Sequence, residues 1–310
     1  MQNRRNFLKT SIGSAALLSA GHLPFEAFSK DNSLKITILH TNDVHSRIEA
    51  FPMDGSRNQG LGGIAARAEL IKKIRAEERN VLLLDAGDIF QGTPYFNYFQ
   101  GELEMKLMSE LGYDAGTIGN HDFDAGIEGL DAQLPNAQFP LLNANYDFSD
   151  TVLSGKINSH KIFKKDEIKI GVFGLGIELD GLVPKKLIGE TRYSDPISAA
   201  NKIGEILKFD YNCNLVLCLS HLGYKYKEDK VSDEVLARQS RNIDLILGGH
   251  THTFFSYPKE YKNANGKKIL INQVGWAGLM LGRIDYFFKN VKEKTVVRRS
   301  PMKIRKKGRG

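Results

Sequence analysis

Tyr113-Asp114-Ala115-Gly116-Thr117-Ile118 runs directly into Gly119-Asn120-His121-Asp122-Phe123-Asp124. The first six residues lean apolar and read as a short strand. The next six carry an amide, an imidazole and two carboxylates, and Ala125-Gly126 then opens a helix-like segment. A core rejects that mixture, because each such group buried without a partner or a metal costs several kcal/mol. Open α/β folds place chemistry in the crevice beyond the carboxyl ends of their strands. The junction is therefore a candidate site, and its meaning depends on which other strands end in the same way.

Upstream, Leu34 to Leu39 alternates and is rich in β-branched residues, so it reads as a strand. It ends in His40-Thr41-Asn42-Asp43-Val44-His45. Asp43 and His45 are two apart, which in extended geometry puts both on one face. After a Gly- and Asn-rich loop at 52–63, Ile64, Ala68, Ile71 and Ile74 give helical periodicity through Glu78. Val81 to Leu84 is an all-apolar strand suited to a sheet covered on both faces, and it runs into Asp85-Ala86-Gly87-Asp88. Glu102 to Leu111 is the next helix.

Downstream, Phe139 to Asn143 reads as a strand. Ile157 to Phe163 and Ile168 to Leu175 read as a hairpin across Lys164-Lys165-Asp166-Glu167. Asp195 caps a helix that begins at Pro196 and runs through Leu207. Leu215 to Leu219 ends in Ser220-His221, and Ile243 to Leu247 ends in Gly248-Gly249-His250-Thr251-His252, with a polar helix at Ser232 to Ser240 between them. Lys268 to Val274 and Leu279 to Phe288 read as the last two strands, and residues 298–310 as a basic, disordered tail. The succession of strands and helices makes the body α/β, and no long linker marks a second domain.

The length of 310 residues suits one large or two small domains. The formal charge of +7 suggests an acidic partner, but it belongs to the ends. Residues 1–30 hold four basic groups and one acidic, residues 289–310 hold ten and one, and the body between them holds 29 and 34, a net of −5. No polymeric nucleic acid is expected on such a body. No run of 18 apolar residues indicates a membrane span. Cys213 and Cys218 make no disulfide framework, and Cys218, inside an apolar strand, reads as a small hydrophobe.

Five strand ends thus carry Asp43 and His45, Asp88, Asn120 and His121, His221, and His250 with His252. Asp, Asn and His are ligands of mixed N/O sites for Mn²⁺, Fe²⁺, Co²⁺ or Zn²⁺. Seven groups besides His121 exceed what one ion takes from a protein, so two divalent ions are expected, with Asp88 as the bridge between them. Paired ions polarise a phosphoryl ester, lower the pKa of a bridging water and steady the leaving oxygen.

At this point the chain resembles a known family. Thr41-Asn42-Asp43-Val44-His45, Gly87-Asp88-Ile89-Phe90-Gln91-Gly92, Gly119-Asn120-His121-Asp122-Phe123-Asp124, Ser220-His221-Leu222-Gly223 and Gly248-Gly249-His250-Thr251-His252 resemble the N-terminal metallophosphatase domain of bacterial 5'-nucleotidases, within the calcineurin-like metallophosphoesterases. The resemblance covers about residues 34–290, and the domain is set at 34–297. It implies two stacked mixed β-sheets flanked by helices, with a dimetal site at the strand ends. It implies that Asp43, His45, Asp88 and His252 hold one ion, and that Asp88, Asn120, His221 and His250 hold the other. His121 would contact the transferred phosphoryl group, with Asp124 holding its imidazole. Asp122 is read as a turn former without chemistry. The implied reaction is hydrolysis of phosphate monoesters, of the nucleoside 5'-monophosphate type, by in-line attack of a metal-bound hydroxide. The alternatives are 2',3'-cyclic nucleotide or other phosphodiester cleavage, thiosulfate-ester hydrolysis as in a related branch, and a non-catalytic subunit of a two-chain assembly.

Two features lie outside the motifs. Asn3-Arg4-Arg5-Asn6-Phe7-Leu8-Lys9 followed by the weakly apolar Ile12 to Leu18 resembles a twin-arginine signal, so residues 1–29 are read as a leader and the location as periplasmic or extracytoplasmic. Relatives of the family carry a C-terminal nucleotide clamp, and this chain stops near the end of the first domain. The expectation is a separate chain that supplies the clamp, or a less selective enzyme. Phe90, Tyr95, Phe96, Tyr98 and Phe99 are candidates for a stacking wall beside the site, or for packing beneath its loop.

Overall fold

Near-continuous apolar runs on strand after strand give two large sheets, each with one face to bury against the other and one against helices. The computed structural model describes residues 34–289, 291 and 293–305. Its elements run β1 (Leu34–Thr41), α1 (Ile64–Glu77), β2 (Val81–Asp85), α2 (Pro94–Phe99), α3 (Glu102–Glu110), β3 (Ala115–Thr117) and α4 (Gly126–Gln133). There follow β4 (Leu141–Leu142), β5 (Tyr146–Asp147), β6 (His160–Lys165), β7 (Ile168–Leu175), α5 (Lys185–Ile188), β8 (Arg192–Tyr193) and α6 (Pro196–Glu205). The chain closes with β9 (Leu215–Ser220), α7 (Asp233–Gln239), β10 (Leu245–Gly248), β11 (Lys259–Lys262), β12 (Lys268–Asn272), β13 (Met280–Phe288), β14 (Lys294–Arg298) and β15 (Met302–Lys303).

One sheet has the order β14-β13-β1-β2-β3-β4, with β15 also paired to β13. The other has the order β11-β12-β10-β9-β7-β6. Both are mixed. Their central strands are parallel and in register at the carboxyl ends. Thr41 lies opposite Asp85, Asp85 opposite Gly116, and Gly248 opposite Ser220. All five polar strand ends therefore emerge along two short rows, one per sheet.

Between the sheets lies a buried layer that includes Ile36, Ile38, Leu82 and Leu84 from one and Ile170, Val172, Leu217 and Leu247 from the other. Each such side chain contributes about 1.5–3 kcal/mol on burial. The outer face of the first sheet, through Leu39 and Leu83, packs against Ile71, Met105 and Leu130 of α1, α3 and α4. The outer face of the second, through Phe173, Val216 and Ile246, packs against Ala200 of α6 and Leu236 of α7. Double coverage is why Val81 to Leu84 reads as an unbroken apolar run. Asp195 caps α6 as expected, its carboxylate accepting from the Ser198 N–H at 2.8 Å. Both cysteines are free and buried.

The tail departs from expectation. Lys294–Arg298 and Met302–Lys303 are strands on β13, and Ile304 is fully buried. Its N–H donates to Leu279 O at 2.9 Å, and its carbonyl accepts from Gly62 N at 2.8 Å. Apolar Pro301 and Ile304, spaced among the cations, anchor residues 298–305 to the domain. The leader at 1–29 and residues 306–310 lie outside the described residues.

Candidate metal centre

Beyond Thr41 the backbone leaves the strand and twists. Asp43 and His45 have φ of 50° and 51°, Asp88 has 55°, and His250 and His252 have 70° and 52°. Left-handed backbone is uncommon outside glycine and costs of order 1–3 kcal/mol per residue. Five of the seven candidate ligands carry it, and that concentration marks a functional constraint. It also corrects one expectation. Asp43 and His45 share a face through paired left-handed residues, not through an extended strand.

The seven groups converge. Ligand atoms of Asp43, His45, Asp88 and His252 all lie within 4.8 Å of one another, and so do those of Asp88, His221 and His250. Asn120 joins the second set, its Oδ1 lying 2.8 Å from His250 Nδ1. Asp88 belongs to both sets. Its Oδ2 is 3.0 Å from His221 Nε2 and 3.8 Å from His45 Nε2. Asp43 Oδ1 is 3.4 Å from His252 Nε2. Asp43, Asp88 and His221 are essentially without solvent contact.

The donor set fits divalent metal on two observations. His221 Nδ1 lies 2.7 Å from Ala86 O, and donating there turns Nε2 toward the carboxylates, where it would ligate once an ion displaces its proton. That Nε2 is buried and has no aligned hydrogen-bond partner among the described residues, although Asp88 is beside it. Likewise, His45 Nδ1 lies 3.3 Å from Phe90 O, and its Nε2 lies 3.1 Å from His252 Nε2. Imidazoles held at Nδ1 by carbonyls, with Nε2 atoms converging on carboxylates, are the usual arrangement around a bound ion. Burial lowers the pKa of His45 and takes that of His250 down to about 4, so both rings are neutral and able to ligate. Burial also lowers His221, but Asp88 and Asp43 override it and lift the ring to about 10. The pocket thus draws positive charge.

His121 stands apart from the ligands. Its Nδ1 is 2.9 Å from Asp124 Oδ2, while its backbone N–H donates to Asp88 Oδ1 at 2.8 Å. Its ring lies 5.3 Å from that of His45, centroid to centroid, on the rim of an open cleft of about 240 Å³ shared with Arg47, Gln91, Gly92, His252 and Trp276. The Asp124 hydrogen bond raises its pKa against the burial that lowers it. Asp124 makes no cap on α4.

Asp122 does more than form a turn. Its carboxylate is buried and accepts four backbone N–H groups: Gly119 at 2.7 Å, Ile89 at 2.9 Å, and Asp88 and Phe90 both at 3.1 Å. It ties the Asp88 loop to the Asn120 loop. Three of those partners lie some thirty residues upstream, so the local sequence carried no sign of them. Gly119 must stay small, because a Cβ there would stand 2.2 Å from Asp88 Oδ1.

Trp276 was also missed. Its ring stacks on His252, with centroids 6.0 Å apart and 14° between planes, and Phe51 packs against its edge. Its loop is pinned to the centre, since Ala277 N–H donates to Asp43 O at 2.7 Å and Asn42 Nδ2 to Gly275 O at 2.6 Å. A single Trp between Gly275 and Gly278 was the available signal. The aromatic candidates divide. Phe90 and Phe96 are buried in the core, whereas Tyr98 is 84% and Phe99 44% exposed.

A family model, calcineurin-like phosphoesterase, matches residues 36–254. A snake venom 5'-nucleotidase of Crotalus adamanteus is 34% identical over 279 residues, covering 83% of this chain and 46% of its own. Among solved structures, NAD nucleotidase of Haemophilus influenzae superposes with a TM-score of 0.77 at 27% identity, covering 88% of this chain and 51% of that one. The 5'-nucleotidase precursor of Thermus thermophilus does so at 0.75 and 30%, covering 86% and 55%. The chain spans about half the length of these relatives.

Proposed function

The chain belongs to the calcineurin-like phosphoesterase family, and from that premise we propose that it hydrolyses phosphate monoesters of the nucleoside 5'-monophosphate kind. Two divalent ions, of the Mn, Fe, Co and Zn group, would be held by the two sets of side chains. Asp43, His45, Asp88 and His252 would take one, and Asp88, Asn120, His221 and His250 the other. The observation that carries this reading is the sharing of Asp88 between two converging sets, with His221 Nε2 turned toward it. Bound there, the ions would polarise the phosphoryl oxygens and make a water nucleophilic at neutral pH.

The remaining work falls to the chain's own groups. Asp124 fixes the His121 tautomer so that the proton-bearing Nδ1 faces the carboxylate and Nε2 faces the cleft. From there a protonated Nε2 can pair with a phosphoryl oxygen or give its proton to the leaving oxygen. Asp122 holds the Asp88 and Asn120 loops at their separation. Trp276 and Gly92 shape the mouth of the cleft.

The relatives' printed activity supports nucleotides as the substrate class. The twin-arginine pattern at Asn3 to Lys9 supports export in a folded state, after the ions are loaded, to the periplasm. Among the described residues no helix is long and apolar enough to cross a membrane.

The test is phosphate release from AMP by the purified chain, stripped of metal and then reloaded with Mn²⁺. Turnover that disappears and returns with the ion is expected, and Asp88→Asn should abolish it. Full turnover by metal-replete Asp88→Asn would overturn the two-ion assignment. A wild-type chain inert toward AMP would overturn self-sufficient nucleotidase activity and make a second chain carrying a nucleotide clamp the partner to seek.

A further inference from the structure

A second hollow opens beside the centre. It has a volume of about 380 Å³ and lies between Arg47–Glu49 on one side and Thr93, Tyr95, Tyr98 and Phe99 on the other. That volume is within the range of small-molecule sites, about 300–1,000 Å³. Arg47 lines both this groove and the cleft of the metal centre, so the two are neighbours on either side of it. We propose that the groove is the leaving-group subsite, and that it takes the flat aromatic base of an ester whose phosphoryl group lies at the centre. The proposal rests on the phosphohydrolase reading.

Both walls are direct extensions of ligand loops. Arg47 follows His45 by two residues, and Thr93 follows Asp88 by five. Thr93 Oγ1 donates to Ser46 O at 2.7 Å and joins the walls at their base. At the far side the Tyr95 phenol hydrogen-bonds Glu49. The site is thus framed by the same backbone that positions the ligands, and anything held in it is registered against them.

The chemistry favours a neutral ring. Helix α2 is only six residues long and divides its aromatics sharply. Phe96 points into the core, while Tyr98 and Phe99 stand in solvent at the groove. Exposed aromatic faces next to a reactive centre serve as stacking surfaces, and base–aromatic stacking tolerates every base. Glu49 in the wall repels a second phosphate. Arg47 lies at the junction, its guanidinium 4.3 Å from the Phe51 ring centroid, and its buried Nε has no hydrogen-bond partner among the described residues. It stands where the ester joins its base-bearing part to the phosphate.

The experiment compares AMP with ribose 5-phosphate, which lacks the base, as substrates of the Mn²⁺-loaded chain. In wild type kcat/KM for AMP should exceed that for ribose 5-phosphate. Tyr98→Ala should lower the ratio of the two about tenfold, the worth of one stack, and Tyr98→Phe should restore it. A ratio unchanged by Tyr98→Ala overturns the proposal. So does a dimer in sedimentation that Tyr98→Ala dissolves without altering the ratio, since the groove would then be an interchain contact. Should neither ester turn over, self-sufficient phosphohydrolase activity has failed, and the subsite is judged by saturation transfer to adenosine. Transfer in wild type that is lost in Tyr98→Ala sustains it, and no transfer in wild type overturns it.

Discussion

Replacing Asp122 with Asn keeps its shape and removes its charge. Each carboxylate oxygen serves two backbone donors, Oδ1 those of Ile89 and Phe90, Oδ2 those of Asp88 and Gly119. An amide keeps one oxygen, and its NH₂ must then face two N–H groups. Two hydrogen bonds to a charged acceptor are lost, at about 1.5–3 kcal/mol each. Burial and then Asp88 push the Asp122 carboxyl up to about 7, so part of the charge assistance is already forfeited at neutral pH. The lower end, about 3 kcal/mol, is therefore expected. For a domain of this size that lowers Tm by about 6 °C or more. Because the affected N–H groups belong to Asp88 and to the residue before Asn120, ion affinity should fall as well, by about 10–100-fold. The assay is thermal unfolding of the metal-free chain, paired with Mn²⁺ titration. Asp124→Asn is the control, since that carboxylate bonds the His121 ring rather than the loop backbone. An Asp122→Asn chain that matches wild type in Tm and in Mn²⁺ affinity would refute the claim that this carboxylate holds the ligand loops together.

His121→Ala should cut AMP turnover by about 10²–10⁴-fold while the ion content of the chain stays the same, because the ring is within neither ligand set; loss of ions would move His121 into the coordination shell. Trp276 is the chain's single tryptophan and stacks on His252. Its emission should be quenched as Mn²⁺ loads, and emission that ignores loading would separate that ring from the centre. Asp233 lies behind His221, with its carboxylate accepting from Ser220 Oγ at 2.5 Å, and burial pushes its pKa up to about 8. The folded state then binds the proton more tightly than the unfolded state. Stability of the metal-free chain should fall as pH rises from about 4 toward 8, by up to about 1.4 kcal/mol per unit for this group. Asp233→Asn should flatten that slope in urea unfolding, and an unaltered slope would place the ionisation elsewhere.

Much of the fold and most of the centre were legible because both are written locally. An apolar run that ends in Asp or His says strand, then site, and five repetitions pointed to the seven groups that converge in the structure. What stayed hidden depends on distant partners. The left-handed turns at Asp43 and His45 follow from where β1 stops, and the two-residue spacing suggested an extended strand instead. Asp122 reads as a turn former because its four donors lie on another loop or before the turn. In Pro94–Phe99 one turn and a half of helix is too short for a periodicity to show which aromatics face inward. Tertiary packing decides that Phe96 goes in and Tyr98 stays out. The tail reads as disordered from its charge, and pairing with β13 together with buried Pro301 and Ile304, the latter bonded to Gly62 and Leu279, reverses that.

The centre belongs to neither sheet. Asp43, His45, Asp88 and Asn120 come from the first, while His221, His250 and His252 come from the second, and no subset within one sheet completes either ligand set. Contact between the two rows is already made by the protein itself. The His250 N–H donates to both oxygens of Asp43, at 2.9 and 3.1 Å, and Gly249 comes so close to Ala86 O and Asp43 that only a hydrogen fits. The apolar layer between the sheets, Leu84 against Leu217 and Leu247, therefore acts as a spacer for the ligands as well as a source of stability. The same arrangement gathers Asp43 and Asp88 in one buried place, where like charges repel and desolvation is costly. Ions that bind only the folded chain would relieve that repulsion and clamp one sheet to the other, so folding, ion loading and activity are linked through the same few carboxylates.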